Sequence, residues 1–223
     1  MVCSWSGGKD CCIALHRALA VDPLAPVLLL TMLTEDGKRS RSNGVALAVL
    51  RAQAAALGAE LIAVPTTWER YEERFREGLA RARERGARTV IFGDLEGGPH
   101  REWNERAALA AGLESSLPLW HEERAALIAE LEAQGYAAFI TAVDAGRLDE
   151  TYLGRRLDAR LADELAARGV DRCGELGEFH TVVAHAPRFR DALSLRFGRP
   201  TLQRGYWHVP VSLARSGAAT AHR

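Results

Sequence analysis

Apolar runs and helical stripes alternate through the first half of the chain. Residues 1–5 are a short apolar run that predicts a strand, and residues 9–20 repeat apolar positions at helical spacing. "PVLLLTML" (26–33) is apolar without alternation, as in a strand buried on both faces. A helix is expected from about Asn43 to Leu57, stopped by Gly58, followed by the strand "AELIAV" (59–64), which Pro65 ends. Thr67 reads as an N-cap for the next helix. There Trp68, Tyr71, Phe75, Leu79 and Ala82 step by three or four along one face until Gly86. "RTVIFGD" (88–94) is a further strand.

This alternation predicts an α/β unit, a parallel sheet with helices on both faces. Ligands in such sheets sit beyond the carboxyl ends of the strands. Three polar turns fall there: Ser6–Asp10, Thr34–Ser42 and Asp94–His100.

The second half has another rhythm. A helix is expected at about 121–134, a strand at "YAAFITAV" (136–143) and a long helix over about 149–168. From Phe179 onward, "FHTVV", "ALSLRF" and "YWHVPVSL" read as antiparallel strands. A boundary near Ser116–Pro118 divides the chain into a unit of residues 1–116 and a smaller α+β unit of residues 117–223, whose tail from Ala214 is expected to fray.

Composition narrows the class. With 48% hydrophobic and 26% charged residues in 223, the chain is an ordinary globular one. Its net charge is zero, so no overall basic field draws it to nucleic acid, which is not expected as a partner. Neither a run of about 18 apolar residues nor a leader pattern is present, so no membrane partner and a cytoplasmic location are expected. Cys3, Cys11, Cys12 and Cys173 form no Cys-x-x-Cys pair, which fits a reducing compartment and argues against structural zinc.

The opening turn carries the first chemistry. "SWSGGKDCC" puts two glycines between a strand and a helix, where backbone N–H groups and the helix's positive end suit phosphate. It is neither a Walker loop nor G-x-G-x-x-G. It matches S-G-G-x-D, the loop of the N-type ATP pyrophosphatases, which hold the outgoing pyrophosphate while a substrate oxygen attacks the α-phosphorus. Asp10 beside a polyphosphate meets like charge, which a bridging Mg²⁺ reconciles. The expectation is therefore Mg·ATP, with Asp10 as metal ligand and Lys9 and the Ser6 hydroxyl as direct phosphate donors.

With "GDL" (93–95), "PLW" (118–120), "LDETYLGRRLD" (148–158) and "CGELGEFHT" (173–181), the chain resembles the diphthine–ammonia ligase family of ATP pyrophosphatases. The resemblance implies an N-terminal adenine-nucleotide α-hydrolase-like (HUP-type) domain and a smaller family-specific one. It implies an AMP-forming ligase that uses ATP and ammonium to amidate a carboxylate-bearing acceptor, a small molecule or a protein side chain. The loop Ser6, Gly7, Gly8, Lys9, Asp10 and Cys11 would hold pyrophosphate and magnesium. Backbone around Thr31–Met32 and Gly93–Asp94 would frame adenine and ribose. Glu175 and Glu178 would face the acyl site, to hold ammonium or accept its proton, with Lys9 and Asp10 completing the catalytic set. A homodimer is left open.

Each assignment has a structural alternative: solvated loop carboxylates for Glu175 and Glu178, a hydrogen-bonded structural role for His180, a turn cap for Asp94, packing for Trp120. The run "EDGKRSRSNG" (35–44) is either a solvated loop or a lid over the sheet's edge. Two residues depart from the family pattern. Cys11 replaces a serine, giving a weaker hydrogen-bond donor whose pKa a helix start would lower, so that ATP would protect it from alkylation. Leu176 replaces a glycine, which matters if a positive φ or close substrate approach is needed there. Two other readings remain: a tRNA-modifying, thiolating pyrophosphatase, and a nucleotide-binding regulatory protein without turnover.

Overall fold

The computed structural model describes residues 1–214; beyond Ala214 itself, the tail expected to fray lies outside them. Five strands, β1 (Val2–Ser4), β2 (Leu28–Leu33), β3 (Glu60–Pro65), β4 (Thr89–Ile91) and β5 (Glu114–Ser116), form a parallel sheet in the order β3-β2-β1-β4-β5. The helices between them are α1 (Lys9–Val21), α2 (Leu47–Leu57), α3 (Tyr71–Glu84) and α4 (Gly98–Ala110). Strand periodicity sorts the side chains into two cores. Val2, Leu28 and Leu30 point toward Phe75 and Leu79 of α3 and Ala107 of α4. Their neighbours Cys3 and Leu29 point the other way, onto Ile13 and Leu15 of α1 and Leu50 of α2.

That second core does not stop at the helices. It runs on through Tyr136 into Ile140, Val143, Val182 and Val183, the last four of which belong to a second sheet, β7-β6-β10-β9. The sheet comprises β6 (Ala137–Asp144), β7 (Phe179–His185), β9 (Thr201–Gln203) and β10 (Tyr206–His208), all antiparallel. A short ribbon pairs β8 (Leu195–Phe197) with β11 (Val211–Leu213), and helices α5 (Arg124–Ala133) and α6 (Ala159–Ala167) pack on each other and share a core with the sheet. Among the described residues no helix is long and apolar enough to cross a membrane.

Four expectations about elements change. The helix foreseen from Asn43 begins at Leu47, because residues 38–46 close on themselves instead. Leu47 N–H donates to the Lys38 carbonyl at 2.8 Å and Val45 N–H to Ser40 Oγ at 3.0 Å. Thr67 does not cap α3; it accepts from Arg70 N–H at 3.3 Å in a turn ahead of the helix, and Trp68 is left 61% exposed. The single helix expected over 149–168 is split. Gly154, at φ 77°, turns the chain into an extended segment whose Gly154 and Leu157 N–H groups donate to Ile140 and Ala138 carbonyls of β6, both at 2.8 Å. Helix α6 then restarts behind Asp158, whose carboxylate caps Leu161 N–H at 2.8 Å. Finally, α4, β5 and β9 lie where the hydrophobic pattern shows no element: "ESS" and "TLQ" are short, polar edges.

Candidate active site

The strand order reverses direction between β1 and β4, so the crevice at their carboxyl ends is where this topology opens a site. The Ser6–Asp10 turn leaves β1 there and Gly93–Asp94 leaves β4. An open cleft of about 260 Å³ is lined by Ser6, Asp10, Cys11, Met32, Asp94 and Glu175, with Trp5, Asn43 and Tyr71. Ser6, Asp10, Cys11, Met32, Gly93, Asp94 and Glu175 are thus brought together, and the segment 171–178 reaches in from the second half of the chain.

The two glycines of the turn serve the protein's own packing first. Gly7 has φ 86°, and a Cβ there would come within 2.9 Å of Leu50 Cδ2. A Cβ on Gly8 would lie 2.7 Å from Asn43 Nδ2 and 3.2 Å from the Thr181 carbonyl. Strand β7 runs along the loop: Val183 N–H donates to Gly7 O at 2.9 Å, and Lys9 N–H to Thr181 Oγ1 at 3.1 Å. Gln53, fully buried in α2, locks this junction. It accepts from Trp5 Nε1 at 2.9 Å and donates to Gly7 O at 3.0 Å and Val183 O at 2.7 Å. Ser6 Oγ accepts from Gly8 N–H and from Asn43 Nδ2, each at 3.3 Å, and faces the cleft.

Lys9 is placed differently from a direct phosphate donor. Its side chain is 5% exposed, with Nζ on the Cys173 carbonyl and 2.8 Å from Asp10 Oδ1, and the ammonium lies 5.7 Å from the centre of the Phe179 ring. Burial opposes this charge, but Asp10, Cys173 and Glu175 outweigh it and raise the pKa above the ordinary lysine value. Lys9 therefore holds Asp10 in place and ties the loop to residues 173–179.

The two glutamates of the second motif part company. Glu178 is 1% exposed, and its oxygens accept the Asp171 and Leu176 N–H groups, each at 3.0 Å. It shapes the turn and does not line the cleft, being buried against those N–H groups with Arg147 Nη1 3.8 Å from its Oε1. Glu175 faces the cleft, where burial first, and then the Asp10 charge, push its carboxyl up to about 7 despite the opposing pull of Lys9 and Arg124. Leu176 keeps an ordinary φ and exposes 69% of its surface, so no glycine is needed at that position for backbone reasons.

At the other rim, Asp94 accepts from Asn104 Nδ2 at 2.9 Å, and burial raises its pKa. Thr31 turns away, its hydroxyl donating to Trp5 O at 2.7 Å, and the Met32 carbonyl accepts Arg41 N–H at 2.9 Å from the 34–46 loop. Gly93 is a close-approach position: a Cβ would stand 2.7 Å from both Asp10 C and Cys11 N. Gly93→Ala must displace the start of α1, so a loss of about 1–3 kcal/mol in stability is expected by thermal melting, together with weaker nucleotide binding.

Cys11 Sγ donates to Gly8 O at 3.2 Å and sits 3.5 Å from Ser6 Oγ. Burial raises its pKa, overriding the helix start that was expected to lower it. Iodoacetamide at pH 7.5 is accordingly expected to label Cys11 far more slowly than a free thiol, with or without Mg·ATP; rapid labelling by intact-mass analysis would contradict this. All four cysteines are buried free thiols.

The donor set fits magnesium. Asp10, its side chain 31% exposed, shares the cleft with the Ser6 hydroxyl, and both offer hard oxygen donors. Among the described residues no three His, Cys, Asp or Glu gather into a metal cluster, so such an ion would take part of its coordination from phosphate oxygens. Sequence reasoning gave no role to Gln53, Asn43, Asn104 or Thr181, although Asn43 lies in the "EDGKRSRSNG" run, Thr181 ends the "CGELGEFHT" motif, and Gln53 stands out as an amide in the Ala-rich apolar stretch of α2.

Two family profiles match the chain: diphthamide synthase N-terminal domain over residues 1–115 and diphthamide synthase C-terminal domain over residues 123–214. No curated protein is a detectable sequence relative. Among solved structures, a "predicted subunit of tRNA methyltransferase" from Methanocaldococcus jannaschii is similar, with a TM-score of 0.40 and 12% identity, covering 83% of this chain and 96% of that one.

Proposed function

The chain belongs to the diphthamide synthase family, and on that premise we propose that it is an AMP-forming ligase that adenylates a carboxylate and transfers ammonia to it. The observation that carries this reading is the meeting of Asp10, from the loop after β1, with Glu175, from the second half, in one cleft at the sheet's switch point.

Residues 6–10 take the β- and γ-phosphates, with Ser6 Oγ as donor. Asp10, steadied by Lys9, holds magnesium, which when bound offsets the phosphate charge. An acceptor carboxylate oxygen bonds to the α-phosphorus as the bond to the bridging oxygen breaks, and pyrophosphate leaves. Ammonia then attacks the acyl carbon, the bond to AMP breaks, and the nitrogen's proton passes to Glu175. No protein nucleophile takes part, so the chain contributes position and charge. A carboxyl with a pKa of about 7 suits both holding ammonium and taking its proton near neutrality. We place the boundary between the nucleotide-handling part, residues 1–116, and the acceptor-handling part, residues 117–223, at Ser116–Pro118. A thiolating reading needs an accessible thiolate, and all four buried cysteines speak against it.

The test is product analysis of Mg·ATP turnover with ammonium and a panel of carboxylic acids. AMP and pyrophosphate are expected in equal amounts with one amide formed per AMP. ADP and phosphate as products would overturn the proposal.

A further inference from the structure

Helix α5 starts with a residue that its own backbone disfavours. Arg124 stands in the first turn, where the helix's positive end repels a cation, and that turn holds no acidic side chain and no side-chain cap. Two carboxylates from distant parts of the chain compensate. Arg124 Nη2 lies 2.7 Å from Glu96 Oε1, and Nε lies 3.1 Å from Asp171 Oδ2. The Arg124 side chain is 23% exposed and that of Asp171 16%, so this second pair is partly shielded from water.

Each carboxylate belongs to a segment that reaches the cleft. Glu96 stands two residues past Asp94, in the loop that leaves β4. The chain just before α5 is pinned to the same loop, since His121 N–H donates to Leu95 O at 2.8 Å from a left-handed φ of 62°. A non-glycine residue keeps that conformation only where its surroundings enforce it. Asp171 opens the turn that carries Glu175. While its Oδ2 accepts from Arg124, its Oδ1 accepts Cys173 N–H at 2.7 Å and Glu175 N–H at 3.4 Å. Burial alone would raise the Asp171 pKa, but the Cys173 N–H and the Arg124 guanidinium outweigh it and hold the carboxyl below the ordinary range. Asp94 and Glu175 line the cleft; Arg124, Glu96 and Asp171 do not.

We propose that Arg124 is a positioning residue. Gripping Glu96 and Asp171 at once, it fixes the turn that carries Glu175 against the loop that leaves β4. It thereby sets where the Glu175 carboxylate stands relative to a bound nucleotide. The catalytic consequence rests on the ligase reading; the tie itself does not. A guanidinium suits this task because its fork serves two acceptors together, whereas a lysine ammonium is a single point on a flexible stem. A shift of about 1 Å in a reacting group can cost about 100-fold in rate, so a tie that touches no substrate still governs turnover.

The tie is tested by amide hydrogen exchange of the full chain, read by mass spectrometry. Exchange over residues 172–178 is expected to be about fivefold faster or more in Arg124→Gln and in Arg124→Lys, with exchange over β6 unchanged. Glu96→Gln, at a side chain 46% exposed, is the mild variant, and exchange over 172–178 about twofold faster or more is expected there. Smaller changes in Arg124→Gln or in Glu96→Gln would overturn the proposal, and wild-type exchange in Arg124→Lys would overturn the role of the fork. If Arg124→Gln loosens β6 as well, Glu96→Gln decides. The consequence is read from turnover with ammonium and the panel of carboxylic acids. At saturating Mg·ATP, Arg124→Gln is expected to form amide about tenfold more slowly or worse, while its affinity for the α,β-methylene ATP analogue stays within about threefold. A smaller fall in rate, or an affinity that falls in step with it, would overturn the positioning role. If the wild-type protein forms no amide from any acid, the ligase reading falls and exchange still decides the tie.

Discussion

Glu175→Gln is expected to lower amide formation by about 100- to 1,000-fold while Mg·ATP affinity stays within about threefold. Glutamine keeps the shape but cannot accept a proton, so only the step that needs one is lost. Amide formation in the wild-type protein should rise with pH over and above the rise caused by ammonium ionisation, as Glu175 becomes able to accept a proton, and the variant should lack that excess. Stability supplies an independent readout. A folded pKa of about 7 stands above the ordinary 4.5, so the folded form retains a proton that the unfolded chain releases. The associated stability is complete below about pH 4.5 and is lost as pH rises through 7. Glu175→Gln removes this loss, so the variant should exceed wild type by about 1–3 kcal/mol at pH 8 and match it near pH 4.5. Chemical denaturation at both pH values checks this; a variant that is inactive and also less stable at pH 8 would mean that Glu175 is structural.

Gln53→Ala is expected to cost about 3–4 kcal/mol, roughly 10 °C in melting temperature. The side chain is fully buried and serves three partners, Trp5 Nε1, Gly7 O and Val183 O. Removal strands an indole N–H and the Val183 carbonyl in a dry interior; Gly7 O retains Val183 N–H. Gln53→Met, which refills most of the volume without restoring the bonds, should recover only part of the loss. A melting change under about 2 °C for Gln53→Ala would show that the junction is held by packing alone. Nucleotide affinity should fall with stability, because Gly7 sits in the turn that Gln53 fixes.

The parallel sheet was legible because its strands are apolar on both faces and its helices carry clean stripes. Leu28–Leu30 and the series Phe75, Leu79, Ala82 spell out strand and helix without tertiary help. The Ser6–Asp10 turn and Glu175 were legible through motif spacing. What escaped depends on partners distant in sequence. "TYLGRRLD" has helical composition, yet edge pairing with β6 claims its backbone groups. Glu178 and Glu175 look alike three residues apart. Only the fold shows that Asp171 and Leu176 N–H groups take the one while the other is left to the cleft. Gly93 resembled a ligand contact, whereas its bare Cα is demanded by the α1 backbone.

The Gly7–Val183 and Lys9–Thr181 bonds make the nucleotide turn a composite of distant stretches of polypeptide. A fragment truncated after Ser116 would carry every residue of the S-G-G-x-D signature and still lack the wall against which that signature is shaped. Co-expressed halves would have to find one another before either could engage a triphosphate. Insertions or deletions that shift β7 would silence nucleotide chemistry from more than 170 positions away in sequence.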